Sequence, residues 1–265
     1  MRFILLFLVF LISSVFAKNV YISVEKSTNE IIVNLHNKNH FDITFKYAPK
    51  YTNLYPLDNL PLSGTLKAKS KRVVGKFMVG VGKYSLNHKY KWVVGNKNVL
   101  HNDKYLYALP YKKGTFKFVT QGFNGVFSHK GDSQYAVDFN LKTGDRVYAS
   151  RDGLVVMTKA DGKKGGALKK FYSEANFITI KHDDGTYGKY NHLAHNGVKV
   201  KVGQKIKRGQ FIGISGNTGY TNGEHLHFIV YKPKDYKSRE SIKIKFIARE
   251  GIVIYPKRGM KLTAK

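Results

Sequence analysis

The 265 residues suffice for one large domain or two modest ones, and 42% hydrophobic residues with 18 Tyr and 17 Phe supply the apolar material of packed cores, which excludes bulk disorder. Cysteine is absent, so disulfides, Cys-ligated zinc, iron–sulfur clusters and thiol nucleophiles are excluded, and any metal must rest on His and carboxylate donors. The 46 Lys and Arg against 17 Asp and Glu give a formal net charge of +29 at pH 7, which draws a chain to polyanions: nucleic acid, anionic lipid or an acidic envelope polymer.

Residues 1–17 begin with Met1-Arg2, continue as FILLFLVFLISSVFA and end in Val15-Phe16-Ala17, with Arg2 as the one charged residue. A basic start, an apolar middle and compatible residues before the cut read as an export signal cleaved after Ala17, and the run falls short of the ~18–20 residues that span a bilayer. No later apolar run approaches that length. The processed chain is therefore expected to be periplasmic or secreted, without a transmembrane segment and without nucleic acid as a partner.

From Lys18 to Lys104 the text reads as short strands, NVYISVE, EIIVNLH, FDITFKY, VVGKFMVGV and YKWVVG, separated by Asn, Asp, Gly, Pro and Lys clusters. Period-two alternation dominates. Within EIIVNLH, Ile31, Val33 and Leu35 fall on one face while Ile32, Asn34 and His36 fall on the other, as a half-buried strand requires. This spacing predicts an N-terminal β-sandwich, Ig-like, over 18–104. The stretch GNKNVLHNDK at 95–104 has no strong period and marks the domain junction. No Ser/Gly-rich linker follows it, so the first domain is expected to pack against the second.

From Tyr105 to Lys265 strands continue, and no ten-residue stretch combines helical periodicity with a cap. The second domain, 105–265, is thus also expected to be β-rich. FITIKHDDGTYGKYNHL reads as a hairpin turning at Asp184-Gly185, VKVGQKIKRGQFIGISG turns at Gly203 and Gly209, and EHLHFIVYK is a further strand. ADGKKGGALKK at 160–170 reads as a polar loop without structure of its own. Gly216-Asn217-Thr218-Gly219 precedes no helix and lacks the Lys-Ser/Thr ending of a phosphate loop, so it reads as a turn.

The chemistry-bearing signal is a set of histidines. In EHLHF, His225 and His227 stand two apart, so both imidazoles leave one sheet face while Leu226 and Phe228 face the core. Upstream lie SHKGDSQYAVDF, with His129, Asp132 and Asp138, and YNHL, with His192. Hydrolytic zinc needs three nitrogen or carboxylate ligands and an open position. His129, Asp138 and His227 can supply such a set, with His192 and His225 beside it; Asp132 is a second candidate carboxylate. His182 reads as a strand residue or hydrogen-bond partner, and His36, His40, His88, His101 and His195 have no paired context.

Five ordered segments, SHKG with AVDF, GDRVYASRDGLVV, YNHL, VGQKIKRGQFIGISGNTG and GEHLHF, together resemble the lysostaphin-type, LytM-like zinc metalloendopeptidases that act on bacterial cell-wall peptidoglycan. The resemblance runs from about Tyr105 to Tyr255. It implies a peptidase domain of the duplicated-hybrid-motif type, zinc held by His129, Asp138 and His227, and His192 and His225 acting beside the metal with a metal-activated water as nucleophile. The commonest first motif of that family reads His-x-Gly-x-Asp, and here Ser133 stands where that form has Asp. The longer variant ending in Ala-Val-Asp-Phe assigns the carboxylate to Asp138 and leaves Asp132 as a turn residue. The expected substrates are stem or cross-link peptides, with anionic envelope polymers as further partners of the basic surface. A non-catalytic wall-binding regulator of another hydrolase is the alternative; such members lose zinc ligands, and this chain keeps candidates for all of them.

Overall fold

The structure, a computed structural model, describes residues 19–60 and 62–265; the export signal read at 1–17 lies outside the described residues. The chain divides into one unit running up to Lys97 together with Asp235–Lys237, and a second comprising Asn98–Lys234 and Ser238–Lys265. Both are built from strands, as the alternation requires.

In the first unit, Val20–Lys26, Glu30–Asn37, Ser70–Val79 and Leu54–Pro56 form one antiparallel sheet in that order. Ser63–Leu66, Ile43–Tyr47 and Tyr90–Val94 form another, and Lys50–Thr52 pairs with Ser85–Asn87. Ile31, Val33 and Leu35 are buried along one face of their strand. Asn34, on the opposite face, is buried as well, and its amide donates to Glu25 Oε1 at 3.1 Å across the strand pair, so the polar group keeps a partner.

The second unit centres on a large sheet in which Gly153–Lys159, Asn176–Lys181, Tyr187–Val198, Leu226–Pro233, Val137–Phe139 and Phe116–Gln121 lie side by side, all antiparallel. Its core face carries Val137, Phe139, Ile178, Ile180, Tyr190, Leu226, Phe228 and Val230. Phe228 packs its ring against Tyr107, Tyr190 and Phe246 and is 1% exposed. Phe228→Ala should therefore cost about 3–5 kcal/mol, read as a fall in the urea midpoint at unchanged slope.

Among the described residues of this unit the helical elements are two 3-10 turns, Gly131–Ser133 and Lys169–Glu174. The second corrects the expectation of a structureless loop at 160–170. Gly165–Gly166 pairs in parallel with Gly219–Tyr220, and Tyr172 in the turn meets the Tyr220 ring at 4.8 Å. A Cβ on Gly165 would lie 1.7 Å from the Asn217 carbonyl oxygen, so the glycines that read as loop composition are what lets the two backbones touch. The Asn176 side chain closes the segment from within, accepting from Gly162 N–H and donating to Gly162 O, both at 2.8 Å.

Candidate functional site

One register row crosses four neighbouring strands: Gln121 lies opposite Asp138, Asp138 opposite His227, and His227 opposite Asn191. Residues directly opposite in an antiparallel pair share a face, with Cβ atoms about 4.5–5.5 Å apart, so the row lines four polar side chains side by side. The core residues Phe228 and Tyr190, one step along their strands, point the other way. Asp138 is 6% exposed; its Oδ1 lies 2.8 Å from His227 Nδ1, and its Oδ2 lies 3.2 Å from His129 Nε2.

Three further histidines reach this row from outside it. His129 sits in the loop after the Gln121 strand, wholly buried, where its Nδ1 donates to the Gly122 carbonyl at 2.8 Å and so leaves Nε2 as the free nitrogen. His225 immediately precedes the Leu226–Pro233 strand; its Nδ1 donates to Gly223 O at 2.9 Å, and its Nε2 lies 3.8 Å from Asp138 Oδ1. His192 is placed by a bulge. The Phe177–Asn191 pair is followed by Asn176–Leu193, so His192 is an extra residue in its strand, with φ of 63°. Strict alternation would send His192 to the face opposite Asn191; the bulge turns it back, and its ring lies 4.7 Å from His225 and 5.9 Å from His227. The Thr218 carbonyl accepts its Nδ1 at 2.8 Å and Gly216 N–H donates to its carbonyl at 2.9 Å, so the Gly-Asn-Thr-Gly turn holds this left-handed residue.

The electrostatics suit a cation. Burial opposes the charge on Asp138, but the imidazoles of His129 and His227 outweigh it and hold the carboxyl well below the usual range. Burial lowers His227 and pushes His192 down to about 3, so both are neutral near pH 7, the state in which imidazole binds metal or accepts a proton. One donor atom from each of His129, Asp138 and His227 lies within 4.8 Å of the others. Tetrahedral zinc with bonds of about 2.0–2.2 Å holds its donors about 3.3–3.6 Å apart; the Asp138–His129 contact of 3.2 Å is near that spacing, and the Asp138–His227 contact of 2.8 Å is shorter. His129 Nε2 and Asn191 Oδ1 are buried without a hydrogen-bond partner among the described residues. Orphaned polar atoms beside a carboxylate and two neutral imidazoles fit a divalent metal with its water.

The other candidates lie elsewhere. Asp132, in the Gly131–Ser133 turn, is an exposed partner of Arg239 Nε at 3.0 Å. His182 is buried, with Nδ1 donating to Asp152 O at 2.8 Å, and burial pushes it down to about 4. His36 stacks on Tyr21, His88 bonds Tyr47, His101 bonds Asp103, and His195 bonds Asn196. Nothing in the sequence singles out Gln121 or Asn191; amides carry no ligand signature, and only the register brings them to the row.

Residues 132–240 match the profile of Peptidase family M23. That span includes Asp138, His192, His225 and His227 and starts just after His129. A metalloprotease of uncharacterized role from Buchnera aphidicola is 33% identical over 132 residues, covering 48% of this chain and 32% of its own. The peptidoglycan DD-endopeptidase ShyA of Vibrio cholerae is 42% identical over 91 residues, covering 34% of this chain and 18% of its own. The chain thus spans a third or less of the length of these curated relatives. Among solved structures, the catalytic domain of the prophage-encoded M23 protein EnpA from Enterococcus faecalis superposes with a TM-score of 0.38 at 22% identity, covering 50% of this chain and 92% of that one.

Proposed function

Starting from the match of residues 132–240 to Peptidase family M23, we propose that this chain is an exported zinc-dependent endopeptidase that cleaves peptide bonds in bacterial cell-wall peptidoglycan. The observation that carries the reading is the convergence of His129, Asp138 and His227 as a three-donor set, with His192 and His225 at its rim. The ShyA relative is named for this substrate.

His129, Asp138 and His227 would hold the zinc, which would supply Lewis-acid chemistry for the scissile carbonyl and for water. The protein's part follows from its hydrogen bonds. Asp138 offers one negative charge and imidazole binds metal in its neutral form, so a divalent cation held here would keep net positive charge. His225 and His192 each spend Nδ1–H on a backbone carbonyl and present Nε2 as an acceptor. One of these nitrogens takes the proton from the attacking water and returns it to the leaving amine, and the other imidazole stabilises the developing oxyanion. The net charge of +29 favours residence on a wall whose stem peptides carry carboxylates, and less so at high salt. A non-catalytic wall-binding regulator would give the donor set and its two flanking imidazoles no role.

The processed full chain should hold about one zinc per molecule, release new amino groups from purified peptidoglycan, lose this activity to a chelator and recover it with zinc. Elemental analysis and mass spectrometry of the digest check it. A chain that takes up zinc and releases no muropeptide sinks the hydrolase; one that takes up none sinks the metal centre.

A further inference from the structure

Gln121 ends the Phe116–Gln121 strand, is 7% exposed, and takes no part in the mechanism above. Its register place is itself enforced: Val119 pairs with Phe139 and Gln121 with Asp138, so Thr120 is a bulge residue that brings the glutamine opposite the carboxylate. A glutamine amide has two N–H donors and one oxygen with two lone pairs. All four are used. Nε2 donates to Asp138 Oδ2 at 3.0 Å and to Ser128 Oγ at 2.9 Å; Oε1 accepts from Phe127 N–H at 3.0 Å and Ser128 N–H at 3.3 Å. One side chain thus ties the carboxylate to the loop that ends at His129.

The loop is shaped around that side chain. His129 N–H and Nδ1–H reach back to Gly125 O and Gly122 O, closing the backbone over Gln121. A Cβ on Gly125 would lie 2.2 Å from Gln121 Cγ and 2.7 Å from Cδ, so the closure needs glycine there. An apolar residue at 121 would leave the Phe127 and Ser128 N–H groups and one buried carboxylate oxygen without this partner, and a glutamate would lack the donors that Asp138 and Ser128 accept.

We propose that Gln121 is a positioning residue of the metal centre, which sets His129 Nε2 and the Asp138 carboxylate at ligand spacing before the metal arrives. The proposal rests on His129, Asp138 and His227 being the metal ligands. Its physical content is preorganisation: without the tether, loop 122–128 and the carboxylate must lose their freedom when the cation binds, and affinity falls by that amount.

The test compares zinc affinity, by competition with a chromophoric chelator, in the wild-type chain, Gln121→Met and Asn140→Ala. Methionine keeps the length and loses all four hydrogen bonds. Asn140→Ala is the structural control, since Asn140 Oδ1 accepts Phe118 N–H at 2.7 Å on the same strand but away from the row. Gln121→Met should weaken zinc about 10–100-fold and speed amide exchange at Phe127 and Ser128 in the metal-free chain. Asn140→Ala should leave affinity within about threefold. If Gln121→Met fails to fold, Ser128→Ala removes one of the four bonds and should cost about fivefold, the worth of one hydrogen bond. Unchanged affinity in the glutamine or serine variant, or equal weakening in the Asn140 control, overturns the proposal while zinc binding by the wild type still stands. A wild-type chain that binds no zinc overturns the ligand assignment instead.

Discussion

Replacing His227 by alanine should abolish both zinc binding and turnover, whereas His225→Ala should retain most of the metal and still lose turnover. The two imidazoles are two residues apart, yet the sheet treats them differently. His227 stands in the strand row with its Nδ1 on the Asp138 carboxylate at 2.8 Å, while His225 precedes the strand, is fastened through Nδ1 to Gly223 O, and approaches the carboxylate only to 3.8 Å. A structural four-ligand zinc site is worth ~10–16 kcal/mol, so one ligand accounts for about 2.5–4 kcal/mol, or two to three orders of magnitude in affinity. A proton-handling imidazole contributes about 10²–10⁴ in rate and little to metal affinity. Elemental analysis beside kcat/KM on a wall peptide separates the two; equal zinc loss in both variants would mean that the assignment within the pair is wrong.

The second large effect lies in the carboxylates. Asp138→Ala should remove zinc and activity together, and Asp132→Ala should leave both within about threefold. Asp138 is buried, receives His227 and Gln121, and supplies the one negative charge of the row. Its loss would strip a proposed ligand and leave the donors of His227 and Gln121 without their acceptor, at ~1–3 kcal/mol per group beyond the metal itself. Asp138→Asn removes the charge at nearly constant volume: one oxygen remains to accept from His227 while the Gln121 amide faces the new NH2 group, and zinc affinity should fall. Asp132 makes only an exposed ion pair with Arg239, with side chains 54% and 36% exposed, and such pairs are worth ~0–1 kcal/mol. Zinc content retained in Asp138→Ala and lost in Asp132→Ala would reverse the choice.

Much of the local structure was legible because its causes are local. Alternation in Glu30–Asn37 announced a strand with Ile31, Val33 and Leu35 inward, and Asp184-Gly185 announced a hairpin whose Gly185 indeed takes φ of 83°. The absence of helical period matches a fold whose regular elements, among the described residues, are nearly all strands. Composition misled where backbone contact replaced side-chain packing: the Gly-Gly of 165–166 read as loop and is a strand bridge to Gly219–Tyr220.

By itself the sequence determined the residue types available to the site and excluded others: no thiol exists, so the donors can only be imidazoles and carboxylates, and His129, Asp138, His192, His225 and His227 stand in segments that resemble one peptidase family. The tertiary structure alone decided which of them meet. Strand register is a long-range quantity, set by the burial of Phe139, Phe228 and Tyr190 on the far face, and it aligned Gln121, Asp138, His227 and Asn191 across four strands drawn from residues 116–233. The bulge that turns His192 toward His225 has the same origin. An extra residue in one strand is defined only against its partner, so nothing in Tyr-Asn-His-Leu could reveal it before Asn176 and Phe177 had paired with that strand.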